Sequence, residues 1–344
     1  MKKLLNSLYI VTPDRYLSLD GENVVINAEH TEIGRVPLHN IDSITVFGGA
    51  GASPALMGKC GEYGKQIVFL SRSGRFMSRC EGKTSGNVLL RREQYRTADD
   101  EKRSLEISRL MIAGKIYNSW YVLNRAVRDH SLRLDTEEFC RRVEYLTGSI
   151  DAAYNAGSAD ELRGIEGQAA QVYFSAFDDM ILQQKEDFRF TVRSKRPPLD
   201  NVNALLSLTY SMATGMCISA LEAVGLDPYV GFLHTVRPGR ASLALDMVEE
   251  FRAVLCDRFV LTLINKRMIN ADCFEKREDG AVLLTENGRK VFFKAWQERK
   301  QEELKHPFLG EKLQWGMVPY AQALLLSRFI RGDIDCYPVF LWRG

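Results

Sequence analysis

Several signatures that define common protein classes are missing from this sequence. Its seven cysteines are scattered and never form a C-x-x-C pair, so the sequence supports neither a disulfide framework nor a structural zinc site. No stretch approaches the roughly 20 apolar residues of a membrane span, and the N-terminal segment lacks the long apolar core of a secretory signal. These absences predict a cytoplasmic protein that is not embedded in a membrane.

Motifs for several kinds of catalysis are also missing. There is no G-x-x-x-x-G-K-[ST] phosphate loop and no glycine fingerprint after a strand, so nucleotide hydrolysis and nicotinamide chemistry have no support. No G-x-S-x-G elbow marks a serine nucleophile. The net charge is only +2, so any contact with nucleic acid must come from local clusters of arginine and lysine.

The composition is that of a folded protein with more than one domain. Hydrophobic residues make up 45% and charged residues 26% of the 344 residues, which is ordinary for a globular chain. Short apolar runs up to about residue 92 predict strands, with hairpin turns at Asp20-Gly21 and Ser73-Gly74. A helix is predicted at 54–63, where Pro54 suits the first turn.

The pattern changes near residue 93. The segment 93–103 is almost wholly polar and is interpreted as a linker, and apolar residues recur at helical spacing beyond it. We therefore predict an α+β protein in which a small N-terminal β-rich domain (1–92) is followed by a larger α-helical domain (104–344) that carries the candidate site. Further helices are predicted at about 137–155, 160–182, 201–223, 242–268, 285–305 and 314–331.

Glu166 is the first candidate for chemistry. On a helix it heads an apolar stripe that continues with Tyr173 and Phe177, so its side chain should point towards the interior. A carboxylate in that position must be protonated, hydrogen-bonded or bound to a cation, because an unpaired buried charge is very costly. The flanking Gly164 and Gly167 suit a close approach by another backbone or by a ligand.

A helix predicted to begin with Ser242 as its cap carries further acidic residues. Asp246 and Glu249 are three positions apart, so they share a face above an apolar stripe. They could bind a cation, or they could simply complement the helix dipole, which is worth about 0.3 to 1 kcal/mol for each residue. Glu250 faces elsewhere and is predicted to be a solvated surface residue.

His234 lies in a turn-rich loop just before this helix, and the chain can fold it back over the first helical turn. A lone histidine is usually structural. One imidazole with two or three of the carboxylates Glu166, Asp246 and Glu249 would instead form a mixed nitrogen and oxygen site. Such a site suits Mn²⁺ or Mg²⁺ better than Zn²⁺.

Basic residues cluster at two places that could hold phosphates. They are Arg237 and Arg240 beside the candidate histidine, and Arg193, Lys195 and Arg196 before a Pro-Pro pair. Next to a metal site, such clusters could bind the backbone of DNA. Ordinary surface charge is the alternative interpretation for each of them.

Four segments of the chain resemble one known family. The stretch GFLHTVRPGRASLALDMVEEFR resembles the hallmark segment of the CRISPR-associated endonuclease family Cas1, the integrase that inserts new spacers into a repeat array. GIEGQAAQVYFSAF, RPPLDNVNALLSLTYS and LINKRMINADCF resemble other parts of the same family. The ending HPFLGEKLQWGMVPYAQALLLSRFIRGDIDCYPVFLWR resembles the type I-C branch.

The resemblance implies a mechanism and a set of partners. It assigns metal binding to Glu166, His234 and Glu249, the last of which is often Asp in relatives, and it places Asp246 at the same site. It implies a homodimer that joins the smaller protein Cas2 and carries double-stranded DNA. A 3′-hydroxyl of that DNA would attack a phosphodiester with the help of Mn²⁺ or Mg²⁺.

Two other functions remain open at this point. The chain could be a noncatalytic DNA-binding scaffold, whose acidic cluster caps a helix and whose basic residues clamp a duplex. It could also be a metal phosphoesterase that acts on small molecules.

Overall fold

The computed structural model describes residues 7–41, 43–48, 51–71, 76–80, 82 and 88–343. Contacts divide this part of the chain into two compact units. The first contains the described residues up to 82, together with Asp272–Glu275 and Leu283–Gln301. The second contains the remaining residues from 88 to the C-terminal part of the chain. The chain is therefore a β-rich unit followed by a mainly helical one, as the α+β prediction expected.

The first unit contains two sheets. The four-stranded sheet has the order β1-β5-β6-β7, in which β1, β5 and β6 run parallel and β7 is antiparallel. The three-stranded sheet is the antiparallel meander β2-β3-β4. The strands are β1 Ser7–Ile10, β2 Arg15–Asp20, β3 Asn23–Ala28, β4 Thr31–Pro37, β5 Ser43–Phe47, β6 Gln66–Leu70 and β7 Phe76–Cys80.

Local predictions for this unit agree closely with the structure. Asp20 pairs with Asn23, so the tight turn is Gly21-Glu22, one residue later than predicted, and Gly21 has the positive φ that such turns require. The predicted helix is α1 (Pro54–Glu62), and Ser53 caps it by accepting a hydrogen bond from the Leu56 amide. The turn predicted at Ser73-Gly74 lies outside the described residues.

A late helix, α9 (Glu286–Gln301), completes the core of the first unit. The Phe293 ring stacks on Tyr9 of β1 at a centroid distance of 4.5 Å and also contacts Phe47 of β5. Phe47 and Phe293 are both buried. The limits 1–92 and 104–344 remain a prediction about separately folding domains, but the compact β-rich unit takes in a segment that the sequence analysis grouped with the helical part.

The second unit is built around helices. Its central element is α3, whose 30 residues pack against α4, α5 and the segment after α7. Its small strands, β10 (Glu303–Lys305) and β11 (Lys312–Gln314), pair with each other, whereas β8 (Phe274–Lys276) pairs with β9 (Val282–Leu284) and most residues of that pair belong to the first unit. The helices are α2 Val88–Asp99, α3 Glu101–His130, α4 Thr136–Asn155, α5 Ala159–Ser175, α6 Asn201–Val224, α7 Ser242–Val248, α8 Arg258–Asn265 and α10 Val318–Arg331.

The segment 93–103, predicted as a linker, is mostly helical. It forms the end of α2 and the start of α3, which are separated at Asp100. Asp100 caps α3, because its Oδ1 accepts hydrogen bonds from the amides of Lys102 and Arg103. The segment contains neither glycine nor proline, so nothing in it prevents a helix, and most of its polar side chains lie on solvated helix faces. Gln94 and Thr97 are exceptions, because both are buried.

One helix, α6, is long and apolar enough to meet the criterion for a membrane span. Within the described residues it packs against α7 and α10, and Leu205, Leu206 and Leu221 are fully buried. These contacts make it a core helix of the second unit.

The helix predicted at 242–268 is interrupted in the middle. It consists of α7, a 3₁₀ turn at Glu249–Phe251, a wider π-type turn at Arg252–Asp257 and then α8. Short π turns inside helices are uncommon and frequently occur at functional sites. The interruption begins at Glu249, one of the candidate ligands.

Candidate functional site

Asp246 organises the loop that carries His234. It is 1% exposed, and its carboxylate accepts hydrogen bonds from the backbone amides of Phe232, Leu233 and His234 at 2.6, 3.1 and 3.0 Å. The Nδ1 atom of His234 lies 2.6 Å from Asp246 Oδ1. A carboxylate that engages Nδ1 fixes the ring orientation and leaves Nε2 as the nitrogen for a ligand.

The start of α7 differs from the prediction. Ala241 precedes the helix without a side-chain cap, and Ser242 Oγ instead donates a hydrogen bond to the Thr235 carbonyl. This bond ties the helix back to the histidine loop. Gly231 is required nearby, because a Cβ atom there would lie 2.6 Å from Asp246 Oδ2 and 2.7 Å from the Ser242 carbonyl carbon.

Glu249 is a buried carboxylate held between two cations. Its Oε1 lies 2.9 Å from Arg252 Nη2, and its Oε2 lies 2.8 Å from Lys115 Nζ. Burial alone would raise the pKa of Glu249, but the charges of Arg252 and Lys115 outweigh it and lower the pKa to about 2. His234 is close enough that its protonated ring would contribute to the same lowering. The side chain is therefore an anion at neutral pH.

Glu166 reaches the same place from α5. Ser158 caps this helix by accepting a hydrogen bond from the Glu161 amide, and Tyr173 and Phe177 are buried as the predicted stripe requires. The Glu166 side chain is 29% exposed, and its Oε1 forms an ion pair with Lys115 Nζ. One ammonium group thus contacts Glu166 and Glu249 at the same time.

The glycines that flank Glu166 face open space. A Cβ atom at Gly164 or Gly167 would meet no protein atom within 4 Å. No other part of the described chain therefore approaches this side of α5, and a close approach by a ligand remains a prediction.

Lys115 was missed by the sequence analysis. It lies on α3 with its side chain only 13% exposed, at a position where Met111 and Val122 on the same stripe are buried. A lysine within an apolar stripe is the same kind of signal that identified Glu166, because a desolvated charge needs a partner.

Glu250 is buried, and its prediction as a surface residue was wrong. The side chain of Gln322, the hydroxyl of Tyr337 and the amide of Phe340 donate hydrogen bonds to its carboxylate at 2.8, 2.6 and 2.7 Å. Burial raises its pKa to about 7, although these hydrogen bonds act in the opposite direction. The prediction failed because the irregular turn after Val248 and the C-terminal segment of the chain enclose this side of the helix, and neither was visible in the helical periodicity.

The five basic residues predicted to bind DNA differ in their surroundings. Arg193 is engaged within the protein, because its Nη1 donates to Asn203 Oδ1 at 2.6 Å and its Nη2 donates to Ser207 Oγ at 3.1 Å. Its guanidinium also lies over the Tyr210 ring at 5.3 Å. These contacts hold the Arg193 side chain within the protein, and its binding of DNA stays a prediction. Lys195, Arg196 and Arg237 are exposed and Arg240 is half-buried.

Lys195 lies in the electrostatic field of the carboxylate cluster. Partial desolvation lowers its pKa, and the charges of Arg252 and Arg193 lower it further, while Glu249 acts in the opposite direction. An exposed lysine at the border of the cluster is well placed to meet an anion that approaches from solvent.

A small cavity opens beside Lys115 and Glu166, and Tyr210 and Asp257 contribute to its lining. The Tyr210 hydroxyl donates a hydrogen bond to Asp257 Oδ1 at 2.6 Å. Burial raises the pKa of Asp257 to about 6, although this hydrogen bond and nearby arginines act in the opposite direction. The cavity leaves space next to the Lys115 side chain.

The donor set fits a divalent cation. Within the described residues, no three His, Cys, Asp or Glu side chains are already grouped at ion-binding distances. Lys115 Nζ instead contacts both Glu166 and Glu249. Glu249 Oε2 is buried without a hydrogen bond of regular geometry, so it retains a lone pair for an ion. Two carboxylates and the Nε2 of His234 are hard and intermediate ligands of the kind that Mn²⁺ and Mg²⁺ accept. The residues Glu166, His234 and Glu249 as metal ligands remain a prediction.

Fold and site together define a class: a two-unit α+β protein with a carboxylate and imidazole cluster at an interrupted helix. The sequence model described as CRISPR associated protein Cas1 matches residues 8–298. A protein named CRISPR-associated endonuclease Cas1 1, from Chlorobaculum tepidum, is 48% identical over 343 residues and covers 100% of both chains. The chain therefore belongs to the Cas1 family.

Solved structures show the same fold. A Cas1 protein from Thermotoga maritima has a TM-score of 0.82 at 23% identity, covering 98% of this chain and 100% of that one. A casposase bound to an integration product has a TM-score of 0.84 at 22% identity, covering 99% and 96%. A Cas6-RT-Cas1–Cas2 complex has a TM-score of 0.82 at 21% identity, and the match covers 100% of this chain and 37% of that one.

Proposed function

We propose that this protein is a metal-dependent DNA endonuclease and integrase, which inserts short DNA fragments as new spacers into a CRISPR array by transesterification. The observation that carries the proposal is the convergence of Glu166 and Glu249, from two distant helices, on a single cation position at Lys115. Membership of a family whose relatives are named endonucleases supports the reaction class.

The proposed site would hold Mn²⁺ or Mg²⁺ through Glu166, His234 and Glu249. Such an ion supplies Lewis acidity to a phosphodiester and stabilises the leaving oxygen. Asp246 orients the imidazole through Nδ1, and Arg252 holds the Glu249 carboxylate in place. By restraining His234 and Glu249, these two contacts would reduce the rearrangement needed when an ion and a substrate bind.

DNA is the proposed substrate, and exposed cations beside the site would bind its backbone. Lys195, Arg196 and Arg237 are exposed and Arg240 is half-buried. Lys195 lies within the field of the cluster, and Arg237 and Arg240 follow His234 closely in the sequence. Cations of this kind position a duplex through its phosphates without reading its sequence.

The proposed partners are a second copy of this chain and the smaller protein Cas2. A structural relative at 21% identity is a Cas1–Cas2 complex with additional domains, which supports Cas2 as a partner. A homodimer, a cytoplasmic location and membership of the type I-C branch are part of the same proposal.

One observation favours a second candidate, the noncatalytic DNA-binding scaffold. Lys115 and Arg252 already neutralise Glu166 and Glu249, as they would in a cluster with a purely structural role. A scaffold of this kind would bind DNA equally well with or without a divalent ion.

The test is strand transfer of a labelled duplex into a plasmid that contains a CRISPR repeat, with Mn²⁺ or Mg²⁺. Glu166→Gln, His234→Asn and Glu249→Gln should each lower the rate at least about 100-fold, because each removes a donor that stabilises charge in the transition state. DNA affinity measured in EDTA, where no divalent ion contributes, should stay close to that of the wild type. Glu144→Gln is the control, since Glu144 is exposed on α4. Full activity in all three site variants would show that the metal assignment is wrong, whereas DNA binding by the wild type without any strand transfer would favour the scaffold.

A further inference from the structure

The cluster around Lys115 contains one more cation than a metal site needs. We propose that Lys115 makes metal binding conditional on DNA: its ammonium group fills the space between Glu166 and Glu249 until a divalent ion and a DNA phosphate arrive together. The inference rests on the proposed function, because it describes how the same site takes up its ion.

The position of Lys115 is built into the fold. Its neighbours Ile112 and Ile116 on α3 are buried, so the side chain leaves the helix within the packed interior rather than from a solvated face. A desolvated ammonium group is stable there only if anions surround it. Both of its ion-pair partners, Glu166 and Glu249, are candidate metal ligands, so the lysine and the ion must compete for the same oxygen atoms.

The charges in direct contact cancel when no ion is bound. Lys115 and Arg252 carry two positive charges, and Glu166 and Glu249 carry two negative charges. A divalent ion would therefore leave an excess of two positive charges in a partly desolvated cluster, which is unfavourable. Phosphates of DNA would remove that excess. Ion binding and DNA binding should consequently strengthen each other, and this coupling must be the same in both directions.

The structure gives the ammonium group somewhere to go. Lys115 lines the cavity that Tyr210 and Asp257 also line, and a lysine has a long, flexible stem that can swing while its backbone stays in the helix. Lys115 can therefore withdraw from the carboxylates without any change in α3.

The test measures Mn²⁺ affinity by the electron paramagnetic resonance signal of the free ion, with and without a duplex whose 3′ ends lack hydroxyl groups. In the wild type, DNA should raise Mn²⁺ affinity about tenfold or more. Lys115→Met should bind Mn²⁺ about tenfold more tightly than the wild type in the absence of DNA, and DNA should add little. Lys115→Arg keeps the charge and should keep the coupling.

Lys102→Met is the matched control, because Lys102 is exposed on the same helix. The melting temperature in EDTA reports folding and should fall for Lys115→Met, whose two carboxylates lose a cation. A purely structural lysine would lower stability and Mn²⁺ affinity together, so weaker or equal Mn²⁺ binding by Lys115→Met overturns the inference. Should that variant fail to fold, Lys115→Gln, which retains a polar end, replaces it in the same measurement.

Failure of the underlying function gives a different result. If the wild type binds no Mn²⁺, or if Glu249→Gln binds Mn²⁺ as tightly as the wild type does, the proposed metal site itself is wrong. If Glu249→Gln abolishes binding but DNA raises the affinity of the wild type and Lys115→Met equally, the metal site stands and only the role of Lys115 is refuted.

Discussion

Glu249 and Glu250 are neighbours in the chain, yet their carboxylates have opposite electrostatic surroundings. Glu249 lies between Lys115 and Arg252, whose charges bring its pKa to about 2. Glu250 is equally buried but meets only neutral donors from Gln322 and from the C-terminal segment, and its pKa rises to about 7. Formal charges, rather than hydrogen bonds alone, therefore decide which of the two buried acids is an anion at neutral pH.

Glu250→Gln should change how stability depends on pH. The pKa of Glu250 is higher in the folded chain than its ordinary value of 4.5, so folding favours the protonated form. The free energy of unfolding of the wild type should fall as the pH rises from about 4.5 to about 7 and then level off. Glu250→Gln has no carboxyl group to ionise at this position, so its stability should not fall over this pH range. At pH 8 it should be more stable than the wild type by about 1 to 3 kcal/mol.

Urea denaturation between pH 4.5 and 8 in EDTA measures this difference. Glu144→Gln, at an exposed position on α4, should follow the wild type at every pH. Parallel curves for the wild type and Glu250→Gln would show that folding does not raise the pKa of Glu250.

Single residues were predictable where one helix determines their surroundings. Glu166 was identified because its own helix continues as a buried stripe, and the structure places it in an ion pair at the edge of the interior. Glu250 was not, since the groups that bury it come from Gln322 and from the segment that contains Tyr337 and Phe340. Contacts so distant in sequence leave no trace in local periodicity.

At the scale of elements, the loop before α7 and the helix itself form one hydrogen-bonded structure. Asp246 accepts hydrogen bonds from three backbone amides of the loop, and Ser242 Oγ donates a hydrogen bond to the Thr235 carbonyl. The loop passes so close to the first turn of α7 that Gly231 has no room for a side chain. His234 therefore owes its position to tight backbone packing as well as to Asp246.

Gly231→Ala should destabilise the protein by about 1 to 3 kcal/mol, because the added methyl group overlaps the backbone of α7 and a buried carboxylate. Gly164→Ala is the matched control. Gly164 lies within α5 with nothing within 4 Å of an added Cβ, so alanine there should stabilise the helix by up to about 1 kcal/mol. Thermal denaturation in EDTA measures both, and equal melting temperatures for the two variants would contradict the packing argument.

Regular helices were predictable from periodicity, and the interruption after α7 was not. The spacing of apolar residues runs through 242–268 almost without a break, which is why one helix was expected. The 3₁₀ and π turns shift the register between Glu249 and Asp257 by amounts that periodicity does not resolve. Their stabilising contacts, such as the Tyr210 hydroxyl on Asp257, come from another helix.

At the scale of the whole molecule, each unit has its own core, and the β-rich unit draws on two distant parts of the chain. Leu17, Ile44 and Ile67 form the buried centre of its sheets. Phe293, from α9, covers Tyr9 and Phe47 on another side. The fold class was predictable because the spacing of apolar residues changes from strand-like to helical near residue 92. No local pattern, however, indicates which sheet a helix much later in the sequence will cover.

A fragment that ends at residue 85 should not fold cooperatively, because it leaves the aromatic surface of β1 and β5 without its helix. Joining residues 272–301 to it through a flexible linker should restore a cooperative thermal transition, measured by circular dichroism. A linked Phe293→Ala version serves as the control. It should lose about 3 to 5 kcal/mol of stability and should therefore melt at a lower temperature. Cooperative unfolding of the short fragment alone would show that α9 is dispensable.

The late arrival of Phe293 also bears on how the protein is made. During synthesis, the strands of the β-rich unit leave the ribosome before α9, which follows only after about 200 more residues, or roughly 10 to 40 s at typical elongation rates. The nascent strands must wait that long with Tyr9 and Phe47 uncovered. The β-rich unit therefore completes its core only after most of the helical unit has been synthesised, although its own strands precede that unit in the chain.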